Sequence, residues 1–362
     1  FAIQARLIAN YALLNQFMQM GRFAAETVVQ LDAELKQLQA ITGTTDYEMG
    51  KLTVRLLEVA QATKFTGLEV AKAATTLGQA GLSATQIGES LEPITQFASA
   101  VGTELTTAVD VVTTTITAFN LQWAETGRIT DMMTTALNKS KLSMQQMQLA
   151  LSYVSNSASQ LKVPLEEVIT AVGLLADSGV RSGSTIGTGL NQLLIEMVKP
   201  SENFRKELKL VGLTVEDVNV RTKGLLGVLR TLKESGFDAT AGFRSFDVRS
   251  ARSFAALMNQ LGDADGFQSS LNEIGAAAKA NETQMESLSN KFANMASAFT
   301  TFAAQAGKPF VETLKLITDG LTETLVLLNR FAPVLQVVVN GDHRHHRPVP
   351  VHFVAIPGRD LS

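Results

Sequence analysis

Residues 166–198 read EEVITAVGLLADSGVRSGSTIGTGLNQLLIEMV and carry the clearest structural signal in the chain. Apolar residues recur there at helical spacing on both sides of a glycine-rich centre, which predicts two helices joined by a bend. The apolar positions are Val168, Ala171, Val172, Leu175 and Ala176 before the centre, and Ile186, Leu190, Leu193, Leu194 and Met197 after it. We predict that four glycines form a structural hinge here: Gly179, Gly183, Gly187 and Gly189. Gly179 is expected to end the first helix, and the others to open a tightly packed second helix.

Glycine-rich turns before helices also occur in phosphate-binding loops, because free N–H groups and the helix dipole favour anions there. The P-loop pattern GxxxxGK[ST] is absent, since no lysine lies between Lys162 and Lys199. The dinucleotide pattern GxGxxG also fails, because residues 187–192 read GTGLNQ. We therefore expect no cofactor and an architectural role for the bend.

Composition limits the classes of protein to which the chain can belong. It has 362 residues, of which 45% are hydrophobic and 18% charged, so it can bury a substantial core. The absence of cysteine excludes disulfides, iron–sulfur clusters and thiol nucleophiles. With 31 basic and 34 acidic residues, no basic excess exists, so no specific nucleic acid binding is expected. The start at Phe1 favours a fragment or a processed form, and no apolar run reaches the roughly 18 residues of a membrane-spanning helix.

Helix starts are marked repeatedly in the first 150 residues. Four capping boxes of the form S/T-x-x-E/Q are present, and each predicts a helix start. They are Thr45 with Glu48, Thr66 with Glu69, Ser83 with Gln86, and Ser143 with Gln146, with expected glycine-containing links at Gly67, Gly81 and Gly102. The fold class predicted is all-α, with many short to medium capped helices packed as helical hairpins or a bundle.

Other local patterns add four expectations. The β-branched run VDVVTTTIT at 109–117 lies within a helical pattern and is interpreted as helix. Residues 211–222 are compatible with a short hairpin or a loop. Pro164 occurs where a first helical turn tolerates proline, and Asn281 with Gln284 is expected to open a helix that runs to Gln305.

Changes in pattern divide the chain into four segments. Val28, Leu31, Leu35 and Leu38 follow a 3-4-3 spacing typical of a coiled-coil-like seam. From Asn340 the helical pattern stops, and this tail holds all four histidines, which favours a frame change, a cloning remnant or a truncated gene end. The predicted segments are a coiled-coil-like N-terminal segment (1–44), a core helical module (45–235), a C-terminal helical segment (236–339) and an aberrant non-helical tail (340–362).

No catalytic or metal-binding constellation emerges from the sequence. His343, His345 and His346 lie in the aberrant tail beside arginines, which argues against a metal site. Residues 263–266 (DADG) miss the calcium-loop spacing, because their glycine falls at the fourth position rather than the sixth. The acidic pairs 166–167 and 216–217 are interpreted as solvated helix starts, with a hydrolase cleft as the remote alternative. We expect that the protein is not an enzyme and has no metal.

An ordered series of motifs nevertheless resembles the core region of phage tail tape measure proteins, of the type found in lactococcal siphophages. The motifs run from about residue 28 to about residue 300, and the order is more specific than any single motif. They are ELKQLQAITGTT from 34, ATKFTGLEVAKAATTLGQAGLSATQIGESL at 62–91, FASAVGTELTTAVDVVTTTITAFNL at 97–121, LALSYVSNSASQLKVPLEEVITAVGLLADSGVRSGSTIGTGLNQLL at 149–194, and LKLVGLTVEDVN at 208–219. One departure is Ile186 before Gly187 and Thr188, where the family typically has alanine.

The resemblance implies a structural and assembly protein of a phage or prophage tail that sets tail tube length and assists genome delivery. It implies the tail lumen as the location after assembly and the host bacterial cytoplasm before it. Implied partners are the tail tube protein, tail assembly chaperones and distal tail or baseplate proteins. Self-association, and host membrane contact through segments missing here, are left open. The alternative is a helical protein-interaction or membrane-surface module unrelated to phages.

Overall fold

The computed structural model describes residues 27–286 of the chain, and these residues belong to one compact unit. Within this range the chain forms fifteen α-helices and two 3-10 turns, with no strand. The all-α prediction is therefore confirmed.

The helices follow one another with short connections. The first eight are α1 (27–42), α2 (Asp46–Gln61), α3 (Gly67–Gln79), α4 (Ala84–Ala100), α5 (Leu105–Phe119), α6 (Thr126–Lys139), α7 (Met144–Gln160) and α8 (Leu165–Asp177). The others are α9 (Gly183–Val198), α10 (Glu202–Leu210), α11 (Val220–Glu234), α12 (Ala239–Ser245), α13 (Val248–Gln260), α14 (Ala264–Ser270) and α15 (Ala276–Met285). The 3-10 turns are Trp123–Glu125 and Glu216–Val218.

All four predicted capping boxes form. At the first of them, the side chain of Thr45 accepts a hydrogen bond from the Glu48 amide, and the Glu48 carboxylate accepts one from the Thr45 amide at 3.0 Å. The same reciprocal pattern starts α3, α4 and α7. Gly67, which was expected to lie in a link, is instead the first residue of α3, because Thr66 already provides the cap.

Helix ends are as regular as helix starts. At the end of α8, Gly179 has a φ of +95°, its amide bonds the Ala176 carbonyl, and the Val180 amide reaches back to Leu175 at 3.2 Å. This pair of bonds is the Schellman motif, which satisfies carbonyls that a helix end leaves free. Six further corners have a left-handed residue and the same two bonds: Gly81, Gly102, Asn120, Lys162, Gly212 and Gly236. The next cap follows within three residues, so consecutive helices turn sharply and pack together.

The core is made mostly of aliphatic side chains, with one aromatic cluster. Helix α9 packs against α7 and α13, and α4 packs against α6 and α15. Near the end of the described chain, four phenylalanines contact one another with ring centroids 4.7–6.3 Å apart. They are Phe204, Phe237, Phe246 and Phe254.

The predicted N-terminal seam is helical and faces inward. Leu31 and Leu38 are buried in α1. A Cβ added at Gly67 or Gly78 of α3 would approach these two leucines, so α3 lies directly against the seam. The coiled-coil-like spacing therefore describes packing against a neighbouring helix of the same module.

Three of the four local expectations are settled by the backbone. Residues 109–117 lie within α5, as predicted. Residues 211–222 form no hairpin; they hold the 3-10 turn Glu216–Val218, and the Asp217 carboxylate accepts hydrogen bonds from the Thr214 amide and hydroxyl. Pro164 occupies the N-cap position of α8, one residue before the first helical residue, and makes no side-chain capping hydrogen bond.

The predicted helix start at Asn281 is wrong. Asn281 lies inside α15, which begins at Ala276. The start of α15 is capped from a distance, because the carboxylate of Asp131 on α6 accepts hydrogen bonds from the amides of Gly275 (2.7 Å) and Ala277 (2.9 Å). The expected extension to Gln305 lies outside the described residues.

The predicted segment boundaries at 44 and 235 both fall between helices. Contacts cross the second boundary, since α13 packs on α9 and α15 packs on α4 and α6. The division into independent segments stays a prediction, and residues 1–26 and 340–362 lie outside the described range.

We predict that Asp131→Ala lowers the free energy of unfolding by about 1–3 kcal/mol, because it leaves two amides of α15 without their acceptor. Asp131→Asn, which keeps one acceptor oxygen, should lose less. Chemical denaturation of both variants and of Asp32→Ala, at an exposed i,i+4 ion pair, measures the difference. Equal stability of the two alanine variants would contradict the assignment.

Candidate functional site

The bend between α8 and α9 begins as predicted, because Gly179 ends α8. Gly179 provides the left-handed residue after α8, where a side chain would be strained whatever the surrounding space. Ser182 then caps α9 by accepting a hydrogen bond from the Thr185 amide at 3.3 Å. Gly179 alone of the four predicted hinge glycines lies in the bend itself.

Gly183 and Gly187 lie inside α9 and face α7. A Cβ added at Gly183 would lie 2.5 Å from the carbonyl oxygen of Gln146, and one added at Gly187 would lie 2.5 Å from that of Ala150. Real Cβ contacts essentially never fall below 3.0 Å. Glycine at this spacing of four therefore lets the two helix backbones touch, as small residues do in close helix pairs.

Gly189 serves the opposite contact of α9. A Cβ there would overlap the Ser253 hydroxyl of α13 and lie 3.3 Å from the Arg249 carbonyl oxygen. Helix α9 thus packs between α7 and α13 through glycines, which have no side chain to keep the neighbouring helices apart. The structure separates the four glycines into one turn residue and three packing residues, and a hinge motion stays a prediction.

Polar contacts tie down both sides of the bend. The Asp177 carboxylate, at the end of α8, accepts a hydrogen bond from the Lys141 amide at 2.7 Å. The Gln146 side-chain amide donates to the Arg181 carbonyl at 2.6 Å. Because Lys141 lies just before α7 and Gln146 lies in its first turn, the bend is fixed to that helix end.

The acidic pair at the start of α8 is not simply solvated, as the sequence suggested. Glu166 pairs with Arg128, which also contacts Glu125 at 2.8 Å. The Glu167 carboxylate accepts hydrogen bonds from the amides of Leu225 (2.5 Å) and Leu226 (3.2 Å). Burial raises the pKa of Glu167, although the two amides oppose the shift.

Glu167 acts as a cap on a helix 58 residues further along the chain. Helix α11 is interrupted at Gly224, whose φ of +69° and ψ of 173° restart the helix at Leu225. A Cβ at Gly224 would overlap the Glu167 carboxylate, so glycine is required there both for conformation and for space. Sequence reasoning missed this role, because no local pattern links the two residues.

The other acidic pair makes different contacts. Asp217 accepts hydrogen bonds from Thr214, which lower its pKa, and lies 3.8 Å from the Lys223 ammonium. The described contacts thus give Glu166, Glu167 and Asp217 separate structural roles. Within residues 27–286 no group of three His, Cys, Asp or Glu residues could hold a metal ion. The histidines at 343, 345 and 346 lie outside that range.

The surface of the described part of the chain has depressions between helices, two of which differ clearly in size. The larger, of about 550 Å³, lies among the ends of α6, α8 and α13, where Asp177 already accepts a hydrogen bond and Lys139 lies 3.5 Å from Glu273. The smaller, of about 100 Å³, lies between α5 and α7. None of the helices in residues 27–286 is long and apolar enough to cross a membrane.

A family model matches the sequence of this helical module. The model of phage-related minor tail proteins aligns with residues 54–246, just over half of the chain. The chain belongs to this family of phage tail proteins. The matched region runs from α2 to the end of α12 and includes the α8–α9 bend.

Individual relatives point in the same direction. The chain is 24% identical over 330 residues to the tape measure protein of Pneumococcus phage Dp-1, which covers 88% of this chain and 29% of that protein. It is 28% identical over 118 residues to the probable tape measure protein of Escherichia phage P2, covering 33% of this chain and 14% of the relative. The chain thus spans less than a third of the length of either protein. No solved structure matches.

We predict that Gly187→Val destabilises the protein by at least about 1–3 kcal/mol, because a side chain there overpacks the α7 backbone. Gly127→Ala is the matched control, since that glycine lies in α6 with open space around its Cβ position. It should leave stability unchanged or raise it by less than about 1 kcal/mol, because Gly127 lies in the first turn of α6. Thermal and urea unfolding compare the two, and similar effects in both variants would refute the close contact.

The raised pKa of Glu167 predicts a pH-dependent difference between the parent and Glu167→Gln. An acid whose folded pKa is raised contributes stability below its ordinary pKa of 4.5, and this contribution is lost as pH rises through the folded value. The parent should therefore lose stability relative to Glu167→Gln between roughly pH 4 and pH 7. Urea titrations at both pH values test this, and a constant difference would show that burial does not govern the carboxyl group.

Proposed function

We propose that this chain is part of a tape measure protein, which sets the length of a phage tail tube and assists genome delivery. The observation that carries the proposal is the alignment with the Dp-1 tape measure protein across 88% of the chain. The helical module fits a structural role, because carboxylates such as those of Asp131 and Glu167 cap helices from a distance. We propose that it is not an enzyme and uses no cofactor or metal.

Within such a protein, the described module is better suited to anchoring than to measuring. A continuous α-helix advances ~1.5 Å per residue, so the 260 described residues would span roughly 390 Å as one rod. Here they fold back at short corners into one compact unit. Length would therefore be set mainly by other parts of the whole protein, and the module would serve as a folded attachment point.

The proposed partners follow from this role. They are the tail tube protein, tail assembly chaperones and distal tail or baseplate proteins. The proposed location is the host bacterial cytoplasm during assembly and the tail lumen afterwards. We also propose that the α8–α9 bend acts as a hinge that reorients when a partner binds. Its glycines are Gly179, Gly183, Gly187 and Gly189.

A genetic experiment in the phage or prophage that encodes this chain tests the proposal. An in-frame deletion of residues 45–235 should abolish tails or produce tails of irregular length, as measured by electron microscopy. Gly187→Val should reproduce this defect by unfolding the module, and Gly127→Ala should give tails of parental length. Infectious particles with unchanged tail length after the deletion would overturn the proposal.

A further inference from the structure

Helix α15 buries little apolar surface. Its ten residues read AAAKANETQM, and its buried residues are Ala277 and Asn281, with Met285 partly buried. By comparison, α3 buries eight of its 13 residues, among them Val70 and Leu77. Because the apolar contribution to packing scales with the apolar area removed from water, an alanine and an asparagine hold α15 in place less strongly than these residues hold α3.

Polar contacts therefore have a large share in attaching α15. At its start, the Asp131 carboxylate accepts hydrogen bonds from the amides of Gly275 and Ala277 at 2.7 and 2.9 Å. Further along, the Asn281 side-chain amide donates to the Ala62 carbonyl at 3.3 Å, while its Oδ1 is buried and has no hydrogen-bond partner among the described residues. A buried acceptor without a partner costs free energy, and it gains water as a partner when the helix leaves. The attached position thus depends on Asp131 and is opposed at Asn281.

The connection between α14 and α15 allows α15 to move. Residues 272–274 are exposed, and Ile274 is 95% exposed. Gly275 has a φ of +78°, and a Cβ added there would meet no atom within 4 Å. The ion pair of Glu273 with Lys139, at 3.5 Å, joins two side chains that are nearly half exposed, and such pairs contribute little to stability. Rotation about Gly275 would therefore pull no buried side chain of this connection into water.

We propose that α15 is a latch, which detaches from α4 and α6 and pivots about Gly275 while α1–α14 stay folded. The Asp131 carboxylate holds the closed position, because it is the acceptor for two amides at the start of α15. Such a local opening requires less free energy than global unfolding. The latch is independent of the proposed tail function, because a module with a permanently attached α15 could still be part of a tape measure protein.

Single-cysteine variants of the intact 362-residue chain report the opening, because the chain has no cysteine of its own. Ala277→Cys places a thiol on the buried side of α15, and Ala74→Cys is the matched control in the core side of α3, since both alanines are at most 1% exposed. N-ethylmaleimide reacts with each thiol only when it becomes accessible. The Ala277→Cys variant should react at least about tenfold faster than the Ala74→Cys variant, and low urea concentrations should accelerate only the latter, whose reaction follows global unfolding.

Two further substitutions, each combined with the cysteine variants, separate the latch from global unfolding. Gly187→Ala destabilises the closed and open states alike, because both keep the contact between α7 and α9. It should accelerate labelling of the Ala74→Cys variant and leave that of the Ala277→Cys variant within about twofold. Asp131→Ala destabilises the closed state alone and should accelerate labelling of the Ala277→Cys variant by about tenfold or more. Asp32→Ala, at an exposed ion pair of α1, should leave that rate unchanged.

Three results would overturn the proposal. Equal labelling rates, or equal urea dependence, of the two cysteine variants would show that α15 is released only when the whole protein unfolds. Equal acceleration of both variants by Gly187→Ala would lead to the same conclusion. An unchanged rate for the Ala277→Cys variant after Asp131→Ala would show that the carboxylate does not hold the latch closed.

Discussion

The contact between the backbones of α7 and α9 is the constraint on which the described structure depends. Gly183 and Gly187 allow it, because any side chain at these positions would collide with carbonyl oxygens of α7. On another side of α9, Gly189 admits Ser253 of α13. One helix thus joins the earlier helices to the later ones, and the Gly179 corner sets the direction from which it enters. The packing of α9 thus depends on the lack of side chains at these glycines as much as on apolar side chains elsewhere.

Two carboxylates act as caps far from their own helices. Asp131 holds the start of α15, and Glu167 holds the restart of α11 after Gly224. A helix start leaves amides without partners, and their partial positive charge is well matched by a carboxylate. Each such cap attaches a later helix to an earlier one. Glu167, which belongs to an acidic pair with a remote catalytic alternative in the sequence, thus has a structural role in the fold.

Sequence reasoning succeeded where the information is local. The four capping boxes and the Gly179 corner depend on residues within a few positions of one another, and all of them form. The family resemblance was also confirmed. Predictions that depend on contacts between residues far apart in the sequence were wrong. Asn281 fits the local pattern of a helix start, whereas Asp131, which caps α15, lies 144 residues before Gly275. The glycines of α9 were assigned to a bend because glycine has two uses, conformational freedom and close approach, and only the neighbouring helix tells them apart.

The Schellman corners also bear on the order in which the chain acquires its structure. Each corner joins helices through a few residues, so adjacent helices can pair as soon as both have left the ribosome, at little cost in loop closure. The α15 contact with α4 and α6 is different, because it must wait until the chain has been synthesised past residue 280. The early helices would therefore assemble with one side uncovered, which α15, the last helix of the described range, would later cover. Translation itself thereby sets an order, in which α4 and α6 pack before α15 reaches them.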